Sequence, residues 1–123
     1  MLRRSANVIL NFTFIGVLSG TMSGLAVAQE DQKSANYWLP FCRQVVEDKL
    51  NQSDAFNDGA CVGFITGLAS LGRVVGVCRP EGSTPEQAVR VVIQYLDQRP
   101  ARTNEKFGTL ALEALSEAWP CKD

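Results

Sequence analysis

Histidine is absent from all 123 residues. Imidazole is the usual base, proton shuttle and metal ligand near neutral pH. Without it, a Cys–His or Ser–His nucleophile cannot be assembled from this chain, and a mixed Cys/His zinc site lacks its nitrogen ligands. A surplus of either charge is missing too: 12 basic residues stand against 13 acidic ones. No basic stripe interleaved with aromatics appears, so nucleic acid is not an expected partner. Paired carboxylates, the remaining route to hydrolysis, are also scarce. Most Asp and Glu stand singly or as neighbours such as Glu47-Asp48, which point to different sides of a helix; Glu113 and Glu117 share a face, but it lies opposite an apolar stripe. All read as solvated. No enzymatic activity, cofactor or metal is expected.

What is present starts at the N-terminus. Arg3 and Arg4 precede a mostly apolar run from Val8 to Leu18, and Ala26-Val27-Ala28 follows. A basic region, a short apolar region and an A-x-A site make residues 1–28 a secretory signal peptide, cleaved after Ala28. Asn11, Thr13, Ser19, Thr21 and Ser23 interrupt the run, and a span needs about 20 predominantly apolar residues. No membrane attachment is therefore expected after cleavage. The first cysteine, Cys42, lies too far on for a lipoprotein. One domain remains, Gln29 to Asp123, 95 residues with ten basic and thirteen acidic side chains. Its mildly acidic surface suits solubility and a basic protein partner. A chain of that size buries only about two-thirds of its unfolded surface, so cross-links would help it.

Cys42, Cys61, Cys78 and Cys121 can supply them. An even count in a short exported domain reads as two disulfides. Zinc sites bring ligands in close pairs, whereas the separations here are 19, 17 and 43. Three pairings exist. A short turn joining the last two helices brings the end of the fourth beside the start of the third, which pairs Cys78 with Cys121 and leaves Cys42 with Cys61. That second bridge requires the first two helices to cross steeply, so Cys42–Cys78 with Cys61–Cys121 stays open as the rival.

Four segments read as helices. Trp38, Phe41, Cys42, Val45 and Val46 recur at helical spacing, after a polar stretch Gln29 to Asn36 expected to fray. Asn51 to Gly59 is a loop by composition. It is no EF-hand, because the twelfth position from Asp54 is Ile65 and not Glu. From Ala60 to Leu71 the chain is apolar all round, with Gly59, Gly63 and Gly67 every fourth residue. That pattern predicts a helix buried at the domain centre, whose smooth ridge lets another backbone approach closely. Thr84, Pro85 and Gln87 form a capping box with proline in the first turn, starting a helix with Ala88, Val89, Val92 and Leu96 on its core face. The last helix is expected from Thr103 or Asn104, with Phe107, Leu110, Ala111, Ala114, Leu115 and Ala118 inward. The fold class is all-α: a small four-helix domain with two disulfides.

Cys61-x-Gly63-Phe64-Ile65-x-Gly67, Cys78-x-Pro80, Gln87, Val91-Val92, Tyr95-Leu96, Pro100 and Ala114-Leu115-x-x-Ala118-x-Pro120-Cys121 together resemble the type VI secretion amidase immunity proteins, the Tai family. The resemblance covers Cys42 to Cys121. It implies a small periplasmic α-helical protein, often homodimeric, that binds and blocks a peptidoglycan amidase toxin with a protruding loop. The loop implied is the one between the third and fourth helices, making Asp97, Gln98, Arg99, Arg102 and Asn104 the candidate contacts. Asn51 to Gly59 is the second candidate loop. The alternative reading is a periplasmic chaperone or envelope-stress protein that exposes helix faces at acid pH.

Overall fold

The computed structural model describes residues 32–49 and 51–123. The expected signal peptide and its cleavage point lie outside the described residues. Four α-helices follow in order: α1, Ala35–Val46; α2, Ala55–Ser70; α3, Pro85–Asp97; and α4, Phe107–Ala118. Short 3-10 turns at Gly72–Val75 and Pro100–Arg102 punctuate the connections. Among the described residues there is no strand, only isolated bridges from Ser34 to Lys106 and from Val77 to Pro120.

The central element is α3, which packs against each of the other three helices. Its cap forms as the sequence predicts. The Thr84 hydroxyl accepts from the Gln87 amide at 3.2 Å, and the Gln87 side chain accepts from the Thr84 amide at 2.8 Å. Those bonds satisfy donors that a bare helix start leaves open. From there Ala88, Val89, Val92, Ile93, Tyr95 and Leu96 are buried. They meet Ile65 and Ala69 of α2 and Leu110, Ala111, Ala114 and Leu115 of α4 in one core. Truncating Leu110 to Ala there would cost about 2–5 kcal/mol.

Both disulfides of the preferred pairing are present. Cys42 and Cys61 join α1 to α2 with Cα atoms 5.6 Å apart. Cys78 and Cys121 join the connection before α3 to the end of α4, with Cα atoms 4.8 Å apart. Beside the second bridge the Cys78 amide donates to the Trp119 carbonyl at 2.7 Å, so α4 does return next to the start of α3. In α2, the helix gives way at Leu71, and Gly72 takes a left-handed φ of 60° that glycine adopts without penalty.

Three expectations change. The stretch before Asn36 does not fray over its described part: Ser34 caps α1, and the Ala35 and Asn36 amides donate to the Glu105 and Thr103 carbonyls at 3.0 and 2.8 Å. The last helix begins at Phe107 and not at Thr103 or Asn104, because the chain first spends Pro100–Arg102 in a 3-10 turn. The third concerns α2, which is not enclosed at the centre. Only Asp58, Cys61, Ile65 and Ala69 are buried along it, and among the described residues nothing lies within 4 Å of where a Cβ would stand on Gly59, Gly63 or Gly67. The buried side faces α1, α3 and α4; the glycine side faces outward. Glycines bring no side chain to bury, so the core formed on the opposite face.

Candidate partner-binding site

The connection from α3 to α4 is short, and its own side chains hold it. Arg99 leaves the helix with φ −132° and ψ 57°, neither helical nor extended, Pro100 opens the 3-10 turn, and the Thr103 hydroxyl donates back to the Pro100 carbonyl at 3.1 Å. Backbone bonds from Arg102 to Arg99 and from Glu105 to Arg102, 3.0 and 2.9 Å, close the turn. The Phe107 amide donates to the Lys33 carbonyl at 2.8 Å, stitching the loop exit to the segment ahead of α1.

At the centre of the loop stands Arg102. Its guanidinium donates to both oxygens of Glu105, at 2.8 Å each, to Glu113 at 2.8 and 3.2 Å, and to the Tyr95 hydroxyl at 3.1 Å. The Tyr95 hydroxyl in turn donates to Glu113 at 2.7 Å. Planar, forked arginine–carboxylate pairs of this kind fix geometry as well as charge. The network shows in the titration of its members. Hydrogen bonds from Arg102, and for Glu113 also from Tyr95, hold the Glu113 and Glu105 carboxyls below the ordinary glutamate value. Burial first, and then its bond to Glu113, pushes the Tyr95 phenol up. Arg102 stays charged at any working pH.

The five loop residues expected at a partner surface therefore divide. Arg99 lies with its guanidinium carbon 3.8 Å from the Tyr95 ring centroid and pairs with Glu117 at 3.3 Å. Asp97 pairs with Arg43 of α1. With Arg102 they form the frame. Gln98 and Asn104 are exposed, as are Pro100 and Ala101 between them, and these four make the outward face. The second candidate loop is shorter than its composition predicts, since Ala55 to Gly59 is already helix. A different feature went unread in the sequence: Phe56, Phe64, Leu71 and Val74 are exposed at 85%, 45%, 52% and 89%. A run apolar on every side gives no sign of which side stays outside.

Asp97, Arg99 and Arg102 each face an opposite charge, and among the described residues no group of three or more metal-ligating side chains converges. No helix of the described residues is long and apolar enough to cross a membrane. The sequence profile of the Rap1a immunity proteins matches residues 34–121. The chain belongs to the Rap1a immunity protein family. The match runs from the α1 cap to Cys121, so it takes in all four helices and both disulfides. No curated protein and no solved structure matches the chain. Rap1a proteins are immunity proteins of type VI secretion effectors, a family that is generally non-enzymatic, and its membership makes a secreted effector protein the partner class for this chain.

Proposed function

We propose that this Rap1a protein is a periplasmic immunity protein of the Tai type, without enzymatic activity, that neutralises an incoming peptidoglycan amidase by covering its catalytic groove. The observation that carries the reading is the Arg102 clamp. It holds the α3–α4 loop in one conformation and leaves Gln98, Pro100, Ala101 and Asn104 outward. A loop ordered before binding loses little entropy on docking, which is what an inhibitor acting by shape needs. Export is supported by the leader-like N-terminus and by two bridges that persist only in an oxidising compartment. The resemblance of the cysteine and glycine pattern to the amidase immunity proteins supplies the target class, and pairing of two copies belongs to the same reading.

The exported chain, titrated into amidase effectors delivered by type VI secretion, is expected to stop one of them at a stoichiometric ratio. Gln98→Arg with Asn104→Arg is expected to abolish that inhibition while leaving the melting temperature unchanged. If no cell-wall amidase is retained or slowed, the amidase reading fails. The chaperone alternative rests on the exposed apolar face of α2; it requires dye-binding surface and client capture to rise as pH falls, with no stoichiometric enzyme complex.

A further inference from the structure

A cavity of about 630 Å³ opens where the start of α1, the middle of α2 and the start of α4 meet. At its base lies the buried ring of Phe107. Trp38 stacks on that ring with centroids 6.0 Å apart, and Phe64 lies tilted against it at 5.6 Å. Both also line the cavity, and Phe64 keeps 45% of its surface exposed. Each wall is held in place. The Trp38 indole donates to the Gln32 carbonyl at 2.8 Å. Gly108 leaves room for Phe64, since a Cβ at that position would stand 3.1 Å from the Phe64 Cζ. A pocket of this size, walled by rings that are already ordered, suits a large apolar group and costs little rearrangement to fill.

Charge narrows the class of group. Lys33 and Lys106 line the cavity, and among the described residues no acidic one does. That balance is the reverse of the domain's own, in which acidic side chains outnumber basic ones. Lys106 has no ion pair among the described residues. Helix α4 begins here with no acidic residue in its first turn and no side chain capping it, so the positive end of its dipole adds to the lysines. An aromatic base beside a basic rim selects an apolar group that stands next to a carboxylate.

Position identifies what carries it. The Ala35 and Asn36 amides, at the start of α1, hold the Glu105 and Thr103 carbonyls, which joins the cavity wall to the α3–α4 loop. Lys106 follows the exposed Asn104 by two positions. A protein that covers the outward face of the loop therefore reaches the cavity as well. Aromatic-lined pockets within a contact are where a few residues supply most of the binding energy.

We infer that this cavity receives an anchor from the secreted effector: a large apolar side chain set against Phe107, Trp38 and Phe64, beside an Asp or Glu carboxylate that meets Lys106 and the start of α4. This anchor site rests on the effector binding of the proposed function, and not on the effector being an amidase.

Two measurements on the full exported chain test it. Followed by NMR, N-acetylphenylalanine at millimolar concentrations is expected to shift the Gly108 and Thr109 amides and the Trp38 indole, and its neutral amide to shift them less. No shift at these groups, or equal shifts from both probes, overturns the cavity as a site for an apolar carboxylate. In titrations against the effector that the chain stops, Phe64→Ala is expected to weaken binding by about thirtyfold and Lys106→Glu by about tenfold. An acid at a helix start is favourable, so Lys106→Glu is expected to keep or raise the melting temperature while losing affinity, a split that a merely structural role would not give. Wild-type affinity in Lys106→Glu overturns the assignment to the effector. Probe binding that tightens by about tenfold in Glu30→Gln with Asp31→Asn would make the chain's own N-terminal residues the occupant, and binding that weakens as protein concentration rises would make it a second copy; either overturns the anchor. If the effector stopped is no amidase but both variants bind it weakly, the amidase reading falls and the anchor site stands.

Discussion

The Arg102 guanidinium forks onto the Glu113 carboxylate across the α3–α4 loop, Nη1 to Oε2 at 2.8 Å and Nη2 to Oε1 at 3.2 Å. Eleven positions separate the two in sequence, and the pair ties the loop to the second turn of α4. Tyr95, reaching across from α3, shares both partners. Loop conformation and helix packing are thereby coupled.

Tyr95→Phe keeps the buried ring and removes the hydroxyl that joins α3 to Glu113. A lost side-chain hydrogen bond to a charged group in a largely buried setting costs about 1.5 kcal/mol. The melting temperature is expected to fall by roughly 6–10 °C for a domain of this size, with faster hydrogen exchange at the Arg102 and Glu105 amides. Unchanged exchange at those two amides would show that the hydroxyl does not order the loop.

The same clamp sets an acid limit. Glu113 and Glu105 have carboxyl groups held below their ordinary value of 4.5 by Arg102. A depressed folded value contributes stability that is present above the unfolded one and is lost as pH falls through the folded one. Wild type is therefore expected to lose stability below about pH 4.5 more steeply than Glu113→Gln, the two curves converging at the acid end. Parallel curves in chemical unfolding from pH 7 to 3 would rule this out.

Asp58 works in the opposite direction. It is 3% exposed, neither carboxylate oxygen has a hydrogen-bond partner among the described residues, and burial, followed by the charge of Asp54, raises its pKa above 3.8. A raised folded value means that its stabilising, protonated form is fully present below pH 3.8 and is lost as pH rises through the folded value. Asp58→Asn is expected to raise stability at pH 7 by about 1 kcal/mol, the lower end of the cost of an unsatisfied buried group, and to confer no gain at pH 3. A variant less stable than wild type at pH 7 would mean that the carboxylate holds a partner in solution.

The two disulfides close loops of different length, with separations of 43 residues for Cys78–Cys121 and 19 for Cys42–Cys61. In the chain-entropy picture, replacing both cysteines of the longer loop by serine costs about 4 kcal/mol and of the shorter about 3. Either loss is a large share of a small domain's total stability. Urea midpoints of the two double variants are expected in that order. The reverse order would place the stabilisation in local packing at the α1–α2 crossing.

How much was legible in advance depended on whether local chemistry or packing made the decision. Thr84, Pro85 and Gln87 fix the start of α3 by bonds that reach three residues, so the boundary could be read to the residue. The start of α4 could not. The Thr103 and Glu105 carbonyls there are held by the Asn36 and Ala35 amides at the start of α1, which no local pattern announces. Arg99 and Arg102 looked like solvated or contacting charges; both are held by carboxylates on α4, 18 and 11 residues further along the chain.

The absence of histidine, the four cysteines and the apolar spacing of three helices were enough, as sequence, to specify an all-α, cross-linked domain, because each acts through composition or through neighbours along the chain. Tertiary structure alone decided which side of α2 meets the core and which stays open. A helix apolar all round has no preferred direction of its own, and only the positions of α1, α3 and α4 supply one.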